Sequence, residues 1–82
     1  MFINKSETGR NNLCGEKVAM LRVALGISQR QLADLLQLEG LEIDKNAIQR
    51  IEAGKRFVTD IELVYLARVF HVSYTALLGE PD

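Results

Sequence analysis

Residues Ile27–Arg56 read ISQRQLADLLQLEGLEIDKNAIQRIEAGKR and contain two short helical patterns, one after the other. Ser28 and the glutamine three residues later form a capping box at the start of the first pattern. Gly40 marks the end of this pattern or the joint just beyond it. Asp44 is a suitable N-cap for the second pattern, which Gly54 ends. Helices this short are marginally stable alone, so both are predicted to share an apolar core with the rest of the chain.

The second of these helices is polar on most of its surface. The residues predicted to face inward are Ala47, Ile48 and Ile51. The residues predicted to face outward are Lys45, Asn46, Gln49 and Arg50. Periodicity alone therefore identifies an amphipathic helix with a polar outer side.

Three further helices are predicted around this pair. Apolar residues at helical spacing indicate a first helix over Leu13–Leu25, with Gly26 at its carboxyl end. A second capping box, Thr59 with a glutamate three residues later, opens a helix that continues to Phe70. A last short helix is predicted over Ser73–Leu78, and no stretch has the pattern of a strand. The predicted fold is all-α, a compact five-helix bundle.

The length and composition indicate one soluble domain. A chain of 82 residues, 48% hydrophobic and 26% charged, can bury about 60% of its unfolded surface without a metal or disulfide. We expect a flexible amino-terminal arm over residues 1–12, a folded domain over residues 13–79 and a carboxyl-terminal tail over residues 80–82. No apolar run approaches the roughly 18 residues of a membrane span, and no signal peptide is recognisable.

The cysteine and histidine content argues against a metal site. Cys14 and His71 are each the single residue of their type, so they cannot provide the four ligands of structural zinc. A lone cysteine cannot form an intrachain disulfide, and we expect a reducing, cytoplasmic setting. Scattered carboxylates with one histidine and one cysteine offer no active site, so we predict that the protein is not an enzyme and needs no cofactor.

The net charge of −1 comes from ten basic and eleven acidic residues. A domain that depends on contacts with phosphate groups is often strongly basic, so this balance argues against binding to nucleic acid. The charge is unevenly distributed, however. Residues 44–56 carry four basic and two acidic side chains, a net +2, whereas residues 57–82 carry one basic and four acidic, a net −3. The positive charge is therefore concentrated on the second helical pattern and the residues after it.

Ordered landmarks along the chain support a family resemblance. They are Gly15-Glu16-Lys17-Val18, Leu21-Arg22, Gly26-Ile27-Ser28-Gln29, Leu32-Ala33, Ile48, Ile51-Glu52-Ala53-Gly54-Lys55-Arg56, Leu66-Ala67-Arg68-Val69-Phe70-His71-Val72-Ser73 and Leu77-Leu78. Together they resemble the Cro and phage-repressor type of helix-turn-helix domain, also called the xenobiotic response element family. The resemblance covers roughly Leu13–Gly79 and implies a domain that binds double-stranded DNA.

The resemblance also implies which side chains meet DNA. If the second helix of the motif enters the major groove, its outward side chains read base edges, because asparagine can bind adenine bidentately and arginine or lysine can donate to guanine. The residues expected to read bases are Lys45, Asn46, Gln49 and Arg50. The residues expected to contact phosphates are Gln29, Arg30, Lys55 and Arg56. The alternative for both groups is an ordinary solvated surface.

The resemblance implies one further contact, beneath this surface, and the chain departs from the family pattern at the joint after the second helix and at Ala53. In the family, the pair corresponding to Arg22 and Glu52 bridges the first and third helices, so an internal ion pair is expected here. The joint between the second and third helices, from about Leu38 to Ile43, is longer than the three or four residues of a tight motif. Ala53 stands where the family commonly has asparagine before the glycine, so one phosphate-contacting amide is absent.

The function expected from these features is sequence-specific control of transcription. A repressor that acts as a homodimer on a pseudo-palindromic operator is the first interpretation, since one half-site seldom provides enough affinity. We expect no membrane partner and no small-molecule ligand. An antitoxin or restriction-modification controller with the same domain is one alternative. A helical protein-interaction module without DNA affinity is another, favoured by the low net charge, Ala53 and the long joint.

Overall fold

In the computed structural model, which describes residue 6 and residues 9–79, the chain forms five α-helices and no strand within that part. The helices are α1 (Gly15–Ala24), α2 (Gln29–Glu39), α3 (Lys45–Glu52), α4 (Asp60–Phe70) and α5 (Tyr74–Leu78). The predicted all-α, five-helix architecture is confirmed. Residues 1–5, 7 and 8 of the expected arm and the expected tail over residues 80–82 lie outside the described residues.

Local side-chain caps start the helices where the sequence predicts. The Ser28 hydroxyl accepts a hydrogen bond from the Gln31 amide (3.0 Å), and the Gln31 side chain accepts one from the Ser28 amide (2.8 Å). Thr59 and Glu62 form the same reciprocal box at the start of α4. Each box occupies amide hydrogens that a helix leaves without an internal partner, so both predicted starts are confirmed.

Helix α1 is shorter than the predicted span of Leu13–Leu25. The Asn12 side-chain oxygen accepts a hydrogen bond from the Gly15 amide (2.8 Å), and the helix begins at that residue. Leu13 therefore precedes the helix and Leu25 follows it, and both side chains are exposed rather than buried as the spacing suggested. Met20 and Val23 on the outer side of α1 are also exposed.

The core lies between the helices and holds α3 by its inner side. Its buried apolar members are Cys14, Val18, Leu32, Ala33, Leu36, Ile43, Ile48, Ile51, Leu66, Ala67, Phe70 and Leu77. Ile48 and Ile51 are completely inaccessible, so the short α3 is anchored by tertiary packing rather than by its own stability. Burial raises the pKa of the Cys14 thiol, which is a core residue at the start of α1.

The joint between α2 and α3 consists of residues 40–44, not of Leu38–Ile43 as predicted, because α2 continues to Glu39. Gly40 ends α2 in the left-handed conformation, with a φ of 109°. The Ile43 side chain is buried, and its carbonyl accepts a hydrogen bond from the Gln37 side chain (2.6 Å). The extra length is therefore folded against the core and against α2.

Residues 10–12 belong to the predicted flexible arm, but in the structure they are packed against the domain. Asn12 is 9% exposed, and its side chain donates to the carbonyls of Ile51 (3.0 Å) and Arg56 (2.8 Å). Such polar residues show no helical period, so the sequence pattern gave no sign of these distant partners. The folded part of the chain thus begins before residue 13.

Candidate nucleic-acid interface

Four polar side chains form the outer side of α3. Lys45 and Gln49 are four residues apart, as are Asn46 and Arg50, so they form two adjacent rows along the helix. All four residues are exposed, and neither the joint after α2 nor residues 9–12 bury them. The structure therefore brings the predicted base-reading residues together on one accessible surface, here called the α3 outer face (Lys45, Asn46, Gln49, Arg50).

The amino-terminal end of α3 is fixed by its cap. The Asp44 carboxylate accepts a hydrogen bond from the Ala47 amide (2.8 Å), as predicted for an N-cap. A negative charge at this end also interacts favourably with the helix dipole. The first turn, which carries Lys45 and Asn46, is consequently held in helical conformation while both side chains point to solvent.

An ion pair between α1 and α3 lies beneath this surface. The Arg22 guanidinium donates to both carboxylate oxygens of Glu52, with Nε to Oε2 at 2.7 Å and Nη2 to Oε1 at 3.0 Å. The two side chains are only 16% and 9% exposed. Hydrogen bonding to Glu52 raises the pKa of Arg22 above its ordinary value. The structure thus contains the internal pair expected from the resemblance.

Gln29 extends this network to the first turn of α2. Its side-chain amide donates to Glu52 Oε1 (3.0 Å), the oxygen that also accepts from Arg22. Arg22 further donates to the Ile27 carbonyl (2.9 Å), just before α2. One carboxylate on α3 therefore orients groups from both α1 and α2. A phosphate contact by Gln29 stays a prediction, and its carboxamide is already positioned by Glu52.

The remaining predicted phosphate-contacting residues differ in their surroundings. Arg30, in the first turn of α2, and Lys55, after α3, are exposed. Arg56 is instead held by Glu62, with both guanidinium Nη atoms 2.8 Å from the carboxylate oxygens. Within the described residues, no ion pair involves Arg30, Lys45, Arg50 or Lys55.

A phosphate contact by Arg56 stays a prediction, and the charge of this side chain is already shared with Glu62. Glu62 is buried at the start of α4, and a buried carboxylate is stable only with a charged or hydrogen-bonding partner. Hydrogen bonds from Arg56 lower the pKa of Glu62, against the opposing effect of burial, and the pKa of Arg56 is raised in return. The sequence signal for this pair is the spacing of Arg56, three residues before the Thr59 capping box that contains Glu62.

Two short helices on a shared core, α2 and α3, are the arrangement of a known protein family. A family model described as helix-turn-helix, HTH_3, matches residues 18–77. This chain belongs to the HTH_3 helix-turn-helix family. The resemblance to Cro and phage repressors is confirmed, and the HTH_3 domain includes all five helices except the start of α1 and the end of α5.

A solved structure supports the same assignment. The HTH_3 domain is similar to the crystal structure of the restriction-modification controller protein C.AhdI from Aeromonas hydrophila, with 28% sequence identity and a TM-score of 0.66. The similarity covers 77% of this chain and 84% of that chain. No curated protein sequence matched the chain significantly.

Membership of the HTH_3 family makes the chain a DNA-binding regulator. The family is generally non-enzymatic. Over residue 6 and residues 9–79, no three His, Cys, Asp or Glu side chains come close enough together to hold a metal ion. None of the helices in the same part of the chain combines the length and apolar character needed to cross a membrane.

Proposed function

We propose that this HTH_3 domain is a sequence-specific transcriptional regulator that inserts α3 into the major groove of double-stranded DNA. The observation that carries the proposal is the α3 outer face, which is exposed along two turns while Ile48 and Ile51 anchor the opposite side. A helix can place side chains on base edges only if it projects from the domain surface with its polar side uncovered. The Arg22–Glu52 pair supports it from beneath.

Base reading in this proposal is assigned to Lys45, Asn46, Gln49 and Arg50. Asn46 and Arg50 have the chemistry for bidentate contacts, with adenine and guanine respectively, and each such contact discriminates between bases by about 1–3 kcal/mol. Gln29, Arg30 and Lys55 contact the phosphate backbone on either side and add affinity without sequence preference. Arg56 serves mainly as the partner of Glu62.

The proposed active form is a homodimer on a pseudo-palindromic operator, acting as a repressor. A single α3 can reach only one half-site, and two half-sites roughly 34–36 Å apart match one turn of DNA. The carboxyl-terminal helix contributes an exposed Tyr74 next to the buried Leu77, so α5 is a candidate dimer surface. Regulation of this kind takes place in the cytoplasm.

A second candidate is a restriction-modification controller. The similarity to C.AhdI, a protein with that described role, favours this function over an antitoxin. Both candidates use the same DNA-binding surface. They differ in which genes the operator precedes, so mapping the bound sites in the source genome distinguishes them.

The test is selection of bound sequences from a random duplex pool, followed by titration of the selected site. We expect enrichment of two inverted half-sites, and affinity that falls steeply as salt rises. Arg50→Ala and Asn46→Ala should each weaken binding to the selected site by about 1–3 kcal/mol while changing random-duplex binding much less. Arg68→Ala, an exposed arginine on α4, is the matched control and should bind like the wild type.

Two outcomes contradict the proposal. The first is no binding to any duplex at micromolar protein and low salt, which favours the protein-interaction module. The second is equal weakening of selected and random duplexes by Arg50→Ala and Asn46→Ala, which would assign these residues to the phosphate backbone instead of the bases. Enrichment of a single half-site would contradict the dimer alone.

A further inference from the structure

The segment of residues 10–12 lies before the family-matched range and binds the carboxyl end of α3. Arg10 Nη2 donates to the carbonyl oxygens of Glu52 (2.8 Å) and Ile51 (3.5 Å). Asn12 Nδ2 donates to the carbonyls of Ile51 (3.0 Å) and Arg56 (2.8 Å). These contacts join residues about forty positions apart in sequence.

Asn11, between these two residues, completes the set. Its backbone amide donates to the Gly54 carbonyl (2.8 Å), and its side chain donates to the Lys55 carbonyl (3.1 Å). Of the main-chain carbonyls from Ile51 to Arg56, all except that of Ala53 thus accept a hydrogen bond from residues 10–12. Three consecutive residues therefore contact almost every carbonyl of the turn after α3.

The packing at this point leaves little freedom. The Arg10 side chain lies across Gly54, where an added Cβ would come within 2.6 Å of Arg10 Cζ. Gly54 also has a φ of +77°, a conformation that favours glycine. Asn12 is buried, and its side-chain oxygen accepts from the Gly15 amide while its side-chain nitrogen donates toward α3. Asn12 therefore ties the start of α1 to the end of α3.

A short helix depends on such contacts more than a long one. Helix α3 has eight residues, and the last carbonyls of a helix have no partner inside it. A cation at the carboxyl end also stabilises the helix dipole, and Arg10 provides one. Loss of these bonds would free the last turn of α3, which carries Arg50, and the turn that carries Lys55.

We propose that Arg10 and Asn12 are positioning residues for DNA recognition. They hold the carboxyl end of α3 and residues 53–56 in one conformation, and so keep Arg50 and Lys55 in the geometry that DNA binding needs. Binding groups must be held to within about 0.5 Å by their supporting contacts. This inference rests on the proposed DNA-binding function of the α3 outer face.

The first experiment compares Asn12→Ala with the wild type on the selected operator and on random duplex. Both proteins are measured at a temperature at which thermal denaturation shows them fully folded. We expect operator affinity to fall at least about fivefold, as when one base contact is weakened, with a smaller change on random duplex. Val69→Ala, which truncates a partly buried apolar side chain on α4, is the control for lost stability and should keep its operator affinity.

The second experiment does not require DNA. Amide hydrogen exchange is followed at Gly54 and Lys55, whose amides donate to Ile51 and Arg50 across the end of α3. In Asn12→Ala and in Arg10→Gln, these two amides should exchange at least about tenfold faster than in the wild type, beyond any change in global stability. The Val72 amide, which donates to the Ala67 carbonyl at the end of α4, is the internal reference and should not change.

The outcomes separate this inference from the proposed function. Unchanged exchange at Gly54 and Lys55 in both variants would overturn the role of residues 10–12 in holding this turn. Faster exchange with unchanged operator affinity would overturn the link to DNA recognition. If the wild type itself bound no duplex, the proposed function and the DNA part of this inference would fall together, while the exchange experiment would still decide whether residues 10–12 hold α3.

Discussion

The outer face of α3 and its carboxyl end differ in how their polar groups are satisfied. Lys45, Asn46, Gln49 and Arg50 on the outer face are exposed, and no ion pair within the described residues involves its two cations. At the carboxyl end, the Glu52 side chain binds Arg22 and Gln29. The carbonyls of Glu52, Lys55 and Arg56 accept hydrogen bonds from residues 10–12.

The difference is the one expected between a supporting region and the DNA-contacting region that we propose. Groups that bind a partner must give up water when the partner arrives, and an internal bond would have to be broken as well. Groups that hold a binding element in place are more effective when they are buried and fully hydrogen-bonded. The eight-residue α3 carries exposed polar groups on its outer face and internally hydrogen-bonded ones at its carboxyl end.

Of the substitutions that test this difference, Glu52→Gln is expected to change the free energy of unfolding most. The substitution removes the charge that Arg22 faces, and breaking a buried pair leaves the other charge without a partner. We expect the free energy of unfolding to fall by about 3 kcal/mol, measured by urea denaturation and circular dichroism. Glu39→Gln, at the exposed end of α2, should stay within about 0.5 kcal/mol of the wild type.

If Glu52→Gln lowered the free energy of unfolding by less than about 1 kcal/mol, the supporting role of the Arg22–Glu52 pair would be contradicted. Exposed surface ion pairs contribute no more than that to stability. The outer face would then have to be held mainly by the packing of Ile48 and Ile51.

A smaller, pH-dependent effect is expected from the Arg56–Glu62 pair. Hydrogen bonds from Arg56 lower the pKa of Glu62 in the folded state, so its stabilisation is complete above the pKa of the unfolded chain and is lost as the pH falls through the folded pKa. Glu62→Gln should reduce the free energy of unfolding by about 2 kcal/mol at neutral pH. The difference from the wild type should shrink from roughly pH 5 downward, where the carboxylate gains a proton.

The measurement is chemical denaturation of both proteins across the acidic range. Glu42→Gln, on the exposed joint, is the control and should reproduce the wild-type dependence on pH. A constant difference between wild type and Glu62→Gln at every pH would show that the charge of Glu62 does not stabilise the fold.

The smallest effect is expected from Lys55→Ala. Lys55 is exposed, so its removal should leave stability within about 0.5 kcal/mol of the wild type. If Lys55 contacts a phosphate group, the slope of log affinity against log salt should become shallower by about one, equally on selected and random duplexes. Fluorescence titration at several salt concentrations measures this slope, with Lys17→Ala on α1 as the control.

An unchanged slope would place Lys55 outside the contact surface. A slope that changed only on the selected operator would assign it to base reading, and the outer face would then extend beyond α3.

Features that depend on neighbouring residues could be predicted from the sequence. The capping boxes at Ser28 and Thr59 and the N-cap Asp44 each involve partners three residues apart, so the pattern contains all the information needed. The polar outer face of α3 follows in the same way from helical periodicity. The predicted first helix included Leu13 and Leu25, which lie outside α1 and are exposed, because periodicity indicates a helix but not where it begins or ends.

The family resemblance extended these predictions to one distant contact. It implied the Arg22–Glu52 pair, which joins residues thirty positions apart and which charge patterning alone would not identify. The resemblance did not predict the ion pair of Arg56 with Glu62. That pair forms because the turn after α3 packs beside the start of α4.

Local sequence specifies the helices, their caps and the chemistry of the α3 outer face, because these depend on the backbone and on residues a few positions apart. Tertiary packing alone places residues 10–12 against the end of α3, folds the joint after α2 inward and pairs Arg56 with Glu62. Those contacts arise when the core brings distant segments together. Asparagine and arginine side chains can donate to almost any carbonyl, so which ones they reach is decided by packing.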